Sequence, residues 1–516
     1  MGKKAAKSGG GKSGMKKGKA KAESAAETEG MVEEEVSNAP KAGNPDDHKI
    51  AGGNLIPMLL SLVTNVLAKL NYKRCYWGLF FLVLLPWEFG FFGICRGVGR
   101  SLLVLLGGFL ALVSSYKRRP SPFPSCGKAQ LDVLMGRSIQ VSEESAELHA
   151  NNNVSMTTFN GEYVLAYRKS DVHFPSAKTR LIVVTSSDLT NWEETWVHET
   201  GNDLREMLLF QIGEQLFLYF FTLIPNGKIF KPIHMYCTTS QDARTWAEPA
   251  EVCKKSEVPW DIKVYHEEDG TQKAYKASYL GDHYGTDDVW VLFESSSDGW
   301  NWEPIGEDGG IVYKGGVCEV AFEFTTSGDL VAIGRNEDGD RTGFGSQFFY
   351  ARKEDLGSWT ALSVSVPWRF DSPRMIRTDG GDGEILLFSR YAPEKYQLAP
   401  SWLSFQSQKV ANLISCSALP KSAGVFRIAP PEEWATADAG DESQSNGEKP
   451  CPVQLIRLFE QAFADTGFFS VTRDLSGQED AWVVANYSSF CHSHAPWIYG
   501  QLTQTNIYVC KCAVTH

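Results

Sequence analysis

The sequence has no C-x-x-C pair, and its 11 cysteines are scattered through 516 residues. That excludes a disulfide framework and the usual paired-cysteine zinc site. No apolar h-region stands near the N-terminus, which excludes a cleaved signal peptide. Acidic residues are missing from 2–21, which hold eight Lys, and Glu88 is the one acid in 51–120. Of the total charge of -12, residues 1–50 contribute +2 and 51–120 contribute +7, which leaves -21 on 121–516. A body this acidic repels phosphates, so nucleic acid is excluded as a partner. Hydrophobic residues at 43% and charged residues at 22% are ordinary globular values, so whole-chain disorder is excluded as well.

The first 120 residues divide in two. Residues 1–50 are Lys-rich and then acidic, with no apolar periodicity, and predict a disordered tail. Residues 75–95 are apolar except for Glu88, long enough to span a bilayer, and 101–115 are apolar but shorter. These predict a helical membrane anchor within 51–120, with the lipid bilayer as a partner. A hairpin with both ends cytosolic satisfies the positive-inside rule, while a single crossing puts the body in the lumen or outside. The expected localisation is the membrane, with a lumenal or extracellular body favoured and the cytosolic side left open.

Residues 121–516 carry repeats. The segments S-S-D-L-T-N-W (186–192), T-S-Q-D-A-R-T-W (239–246), S-S-S-D-G-W-N-W (295–302) and A-R-K-E-D-L-G-S-W (351–359) share one pattern. Their tryptophans, Trp192, Trp246, Trp302 and Trp359, are spaced 54, 56 and 57 residues apart. An Asp in such a turn accepts hydrogen bonds from nearby backbone N–H groups, and the Trp covers a sheet face. These positions read as structural. Between the boxes lie hairpin patterns at 153–168, 205–221, 260–279, 318–335, 371–390 and 467–487. A linker rich in Pro, Ala, Glu and Ser at about 420–450 delays the last. Sheets repeated about a centre form a propeller, so the expected fold is all-β, a six-bladed β-propeller over 121–516.

The aspartate boxes and hairpins resemble the sialidase superfamily of glycoside hydrolases. The segment E-V-A-F-E-F-T-T-S-G-D-L-V-A-I-G-R is similar to that family's fourth-blade signature, with Glu319 sixteen residues before Arg335. The resemblance implies a Tyr nucleophile activated by that Glu, an Asp acid/base and three Arg that grip a substrate carboxylate. Two parts of the pattern are missing. The first Arg is replaced by Asn152-Asn153-Val154-Ser155, and the nucleophile position holds Phe468. Tyr487, on the next strand, is the substitute candidate, and Asp171 matches the acid/base. The candidate catalytic residues are Glu319, Asp171 and Tyr487, and the candidate substrate-binding residues are Arg168, Arg205, Asp261, Arg335, Arg374 and Arg390. An Arg beside Glu319 is expected to lower its pKa, and the arginines are expected to make a cationic funnel. Cys491, His492 and His494 fall short of the four ligands of a zinc site, so no metal or cofactor is expected. The function expected is a membrane-anchored glycoside hydrolase acting on an acidic glycan. The alternative is a non-catalytic propeller that binds a glycan or a protein. Sialic-acid hydrolysis by the usual route is expected to be weak or absent, and Phe468→Tyr alone is not expected to restore it.

Overall fold

The computed structural model describes residues 125–516, except 128, 136–138, 224–233, 268, 282–287, 381, 392–403, 419–420, 435–451, 459–464 and 490–496. The tail and the membrane anchor expected over 1–120 lie outside the described residues. Among the described residues, no helix is long and apolar enough to cross a membrane.

The chain is built from antiparallel hairpins, each running into a third and a fourth strand. Among the described residues, three of the five sheets have four strands. They begin on Asp203–Ile212, Val317–Phe324 and Phe370–Arg377. A fourth sheet begins on Glu257–His266 and has five strands, because Glu303–Pro304 and Ile311–Gly315 both pair with Val289–Ser296. The expectation of six separate blades is corrected here. Among the described residues there are four discrete blade sheets, and the first and last hairpins merge into one nine-stranded sheet. The junction is a single parallel pair, Thr505 with Ala150. That sheet also takes in Gln130–Val133, which pairs antiparallel with the C-terminal strand Thr505–Thr515 and so ties the two ends of the body together. Part of the stretch read as a linker, Ser422–Ile428, is a strand.

Local chemistry explains the turns. Asn160 and Gly161 both have positive φ, 50° and 78°, as a two-residue hairpin turn of the primed type requires. The turns at Asp188, Asp242 and Asp298 share one geometry. Asp188 Oδ1 accepts the N–H groups of Thr190 and Asn191, both at 2.8 Å. Asp298 does the same with Trp300 and Asn301 at 2.8 Å. Asp242 takes Arg244 at 2.8 Å and Thr245 at 2.6 Å. The fourth segment is built differently: Lys353–Asp355 is a short 3-10 turn, although Trp359 Nε1 still donates to the Leu356 carbonyl at 3.0 Å.

The core lies between neighbouring sheets. Phe293 of the five-stranded sheet meets Phe322 of the next at 5.2 Å, edge to face, and both are fully buried. Burying a Phe side chain contributes about 2–3 kcal/mol. The first strands of successive hairpins also contact one another, and Thr466–Arg473 contacts Ala150–Phe159, so these strands close a ring about one axis. Cys237 and Cys253 are free thiols.

Candidate functional site

Every first strand in that ring breaks register near its start. The shifts lie between Asn152 and Ser155, Arg205 and Leu208, Pro259 and Asp261, Cys318 and Val320, Asp371 and Arg374, and Gly467 and Ser470. The bulged residues include Asn153, Glu206, Trp260, Glu319, Ser372 and Phe468. Five of them have positive φ, from 41° at Glu319 to 55° at Glu206. That left-handed backbone is uncommon outside glycine and collects at functional sites. A bulge re-aims its side chain out of the sheet alternation. Here it aims them at the axis. Trp260 and Phe468, from strands far apart in sequence, have ring centroids 5.5 Å apart, and Trp260 Nε1 donates to the Pro373 carbonyl at 3.3 Å.

Two carboxylates, Glu206 and Glu319, lie at these bulges. Glu206 keeps some solvent access. Burial pushes its carboxyl up to about 7, and nearby Glu319 adds to the rise against Arg205 and Arg374. Glu319 is 7% exposed. Its Oε1 pairs with Arg335 at 2.8 Å, and its Oε2 accepts the N–H of Ser372 at 2.9 Å. The expectation that the adjacent Arg would lower its pKa is corrected. Burial and the Asp371 charge raise it by more than Arg335 and the Ser372 N–H lower it.

The arginines do not form a bare cationic funnel. Arg168 is fully buried and bonds Asp203, the Val172 and Phe174 carbonyls, and Thr179, anchoring the 171–179 loop. Arg205 shares Asp203 at 2.5 Å and donates to the His173 carbonyl at 3.0 Å. Arg335 lies between Glu319 and Glu337, the latter at 2.9 Å. Arg390 reaches Asp371 at 3.4 Å and Asp465 at 3.2 Å. Asp371 also binds Arg369, and these cations hold its carboxyl far below the usual range despite complete burial. Arg374 differs. It donates to the Trp260 carbonyl at 2.5 Å and lies 5.0 Å from the Trp260 ring centroid. It feels Asp261, Glu206 and Glu319 through space, while burial works against its charge.

The remaining candidates separate. Asp261 is buried, with Oδ2 accepting the Phe322 N–H at 3.2 Å, and burial raises its carboxyl. Asp171 sits on the loop beside Arg168. Burial opposes its ionisation, but bonds from Ser176 and Ser170 outweigh that and keep it ionised. Tyr487 is fully buried. Its hydroxyl donates to Asp465 at 2.9 Å and accepts from Arg390 at 3.2 Å, and the Phe468 ring lies 5.9 Å away. Burial and Asp465 raise its phenol well above the usual value. Asp465 also holds His173 at 3.1 Å. Cys491, His492 and His494 lie outside the described residues. Among the described residues, no group of three or more His, Cys, Asp or Glu is placed to hold a metal ion.

Sequence reasoning missed the bulge as the common position. The available signal was a polar or aromatic residue near the start of each first strand, where the hydrophobic alternation breaks. Asn153 and Ser372 belong to it. Both are 1% exposed; Asn153 bonds the Glu206 carboxyl, while the Ser372 hydroxyl has no hydrogen-bond partner among the described residues. Such an unmet buried group calls for an explanation.

No family model matches the chain, and no curated protein matches it in sequence. Similar solved structures include a Dyadobacter fermentans protein of unknown function, at 14% identity and TM-score 0.48, over 75% of this chain and 99% of that one. A Trypanosoma rangeli sialidase aligns at 10% identity and TM-score 0.44, over 76% of this chain and 59% of its own. Phage phi92 endosialidase aligns at 10% identity and TM-score 0.48, over 74% and 69%. The chain thus spans under two thirds of the Trypanosoma protein's length, and its structural neighbours, at low identity, include sialidases and an endosialidase.

Proposed function

We propose that the axial site hydrolyses a glycosidic bond of an anionic glycan, with Glu206 as proton donor and Glu319 as base. The observation that carries this reading is the pair of electrostatically coupled carboxylates at the bulges, one of which keeps its proton to about pH 7. Glycoside hydrolysis needs one carboxyl that donates a proton and a second that supports attack from the other side. Glu319, oriented by Arg335 and the Ser372 N–H, suits the second role. Arg374 faces the same space and offers a planar cation to an acidic sugar. The Ser372 hydroxyl, unmet among the described residues, lies beside Glu319 and can bond a sugar hydroxyl. Tyr487 takes no covalent role in this scheme.

Turnover of a panel of fluorogenic glycosides, uronides and sialosides among them, tests the reading. Glu206→Gln and Glu319→Gln should each lower kcat/KM at least about 100-fold, the usual weight of general acid–base catalysis. Failure of the unaltered protein to cleave any member, with glycan binding retained, would sink the hydrolase reading. It would leave the binding-only alternative, which the sealed Tyr487 hydroxyl favours.

A further inference from the structure

A second site lies away from the axis, on the outer rim of the five-stranded sheet. Its outer strand is broken. Glu303–Pro304 pairs with Glu294 and Ser295, and Ile311–Gly315 resumes against Val289–Leu292. At the break the Phe293 N–H donates to the Gly310 carbonyl at 2.8 Å, and Ile305 donates to the Phe293 carbonyl at 3.0 Å. The loop between is clamped to the neighbouring sheet. A Cβ on Gly357 would sit 2.4 Å from Gly306 Cα, so two glycine backbones touch where no side chain fits.

The break leaves an open cleft of about 690 Å³, a volume typical of small-ligand sites. Half-buried Trp359 and the largely buried Tyr313 line it, with Asp308, Lys314, Arg341 and Thr342 as polar groups. The aromatic wall is rigid. Tyr313 donates to Asp340 at 2.8 Å, and Trp359 Nε1 donates to the Leu356 carbonyl at 3.0 Å. Lys314 is neutralised by Asp308 at 2.9 Å. Arg341 is exposed and has no ion pair or hydrogen bond among the described residues. The half-buried Trp359 beside hydrogen-bonding groups suits a sugar ring, and an unpaired guanidinium suits its anionic substituent.

We propose that this cleft is a second glycan site, which holds one anionic sugar unit of a longer chain with its carboxylate or sulfate on Arg341. It stands independently of the chemistry at the axis.

Calorimetric titration of the full-length chain tests it with three probes: a hyaluronan tetrasaccharide for carboxylate, a carrageenan tetrasaccharide for sulfate, and cellotetraose as the neutral control. At least one anionic probe should bind at least 10-fold more tightly than cellotetraose. Arg341→Ala should weaken that probe at least 10-fold with an unchanged melting temperature, and Arg341→Lys should weaken it less. The double variant Glu206→Gln/Glu319→Gln should bind it unchanged, which separates this site from the axial one. The proposal is overturned if neither anionic probe binds, if cellotetraose binds equally, if Arg341→Ala binds as the unaltered protein does, or if the double variant loses binding. Displacement of the probe by a poly-glutamate peptide at equal concentration would reassign the cleft to acidic peptides and overturn it too.

Discussion

The turn aspartates and the axial glutamates carry the same functional group and are displaced in opposite directions. Backbone N–H donors within three residues hold Asp188, Asp242 and Asp298 down to about 2. Burial pushes Glu206 up to about 7. A carboxylate satisfied by its own turn is stable and chemically quiet. One whose burial outweighs the arginines near it is held ready to exchange a proton. Asp371 marks a third case, deeply buried yet fully compensated by cations.

The largest effect expected tests that third case. Asp371→Asn leaves Arg369 and Arg390 buried without their shared anion, and should cost about 3–5 kcal/mol in urea unfolding. A cost below about 1 kcal/mol would show that Glu337 and Asp465 suffice and that the contrast with Glu319 is overdrawn.

A smaller and pH-dependent effect belongs to Glu206. Its folded value, about 7, lies above its ordinary 4.5, so folding favours the protonated form. That contribution is whole below about 4.5 and fades as pH rises to about 7. Melting temperature against pH should therefore fall across this window, and Glu206→Gln should flatten the fall. Turnover by the unaltered protein should decline above about pH 7, as the donor loses its proton. An unchanged slope in the Gln variant would move the titration to another group.

The smallest effect is expected at Asp298. Asp298→Ala removes two backbone bonds and should cost about 1 kcal/mol with no loss of turnover. Its folded value is depressed from 3.8, so its contribution is present above that pH and disappears as pH falls toward 2. Denaturation across pH 2 to 5 measures it, and a turnover defect would contradict a purely structural turn.

Much of the frame was legible from spacing. The hairpins, the three aspartate turns and the place of Glu319 beside Arg335 follow from patterns within twenty residues of chain. The fourth turn was harder, because A-R-K-E-D-L-G-S-W keeps the Trp but adopts a 3-10 turn. The number of separate sheets was not legible. The union of the first and last hairpins depends on one backbone pair between residues 150 and 505. Within the site, Glu319 and the arginines were visible as residue types, but their partners were not. Arg168 looked like a substrate ligand and is an internal anchor. Tyr487 looked like a substitute nucleophile and is fully buried, its hydroxyl held between Asp465 and Arg390.

Sequence alone determined the local hydrogen-bonding units: which residues turn, which alternate as strands, and which aspartates cap their own backbone. Those bonds close within a few residues, so nothing distant alters them. Tertiary structure alone decided the charge states and roles at the axis. Asp203, Asp371 and Asp465 each meet an arginine delivered by another strand, Arg168 for the first and Arg390 for the other two, and desolvation depends on how closely the ring of first strands packs. Glu206 and Asp203 lie three residues apart on one strand. The arginines around Asp203 keep it ionised, while Glu206 in the ring keeps its proton near neutrality.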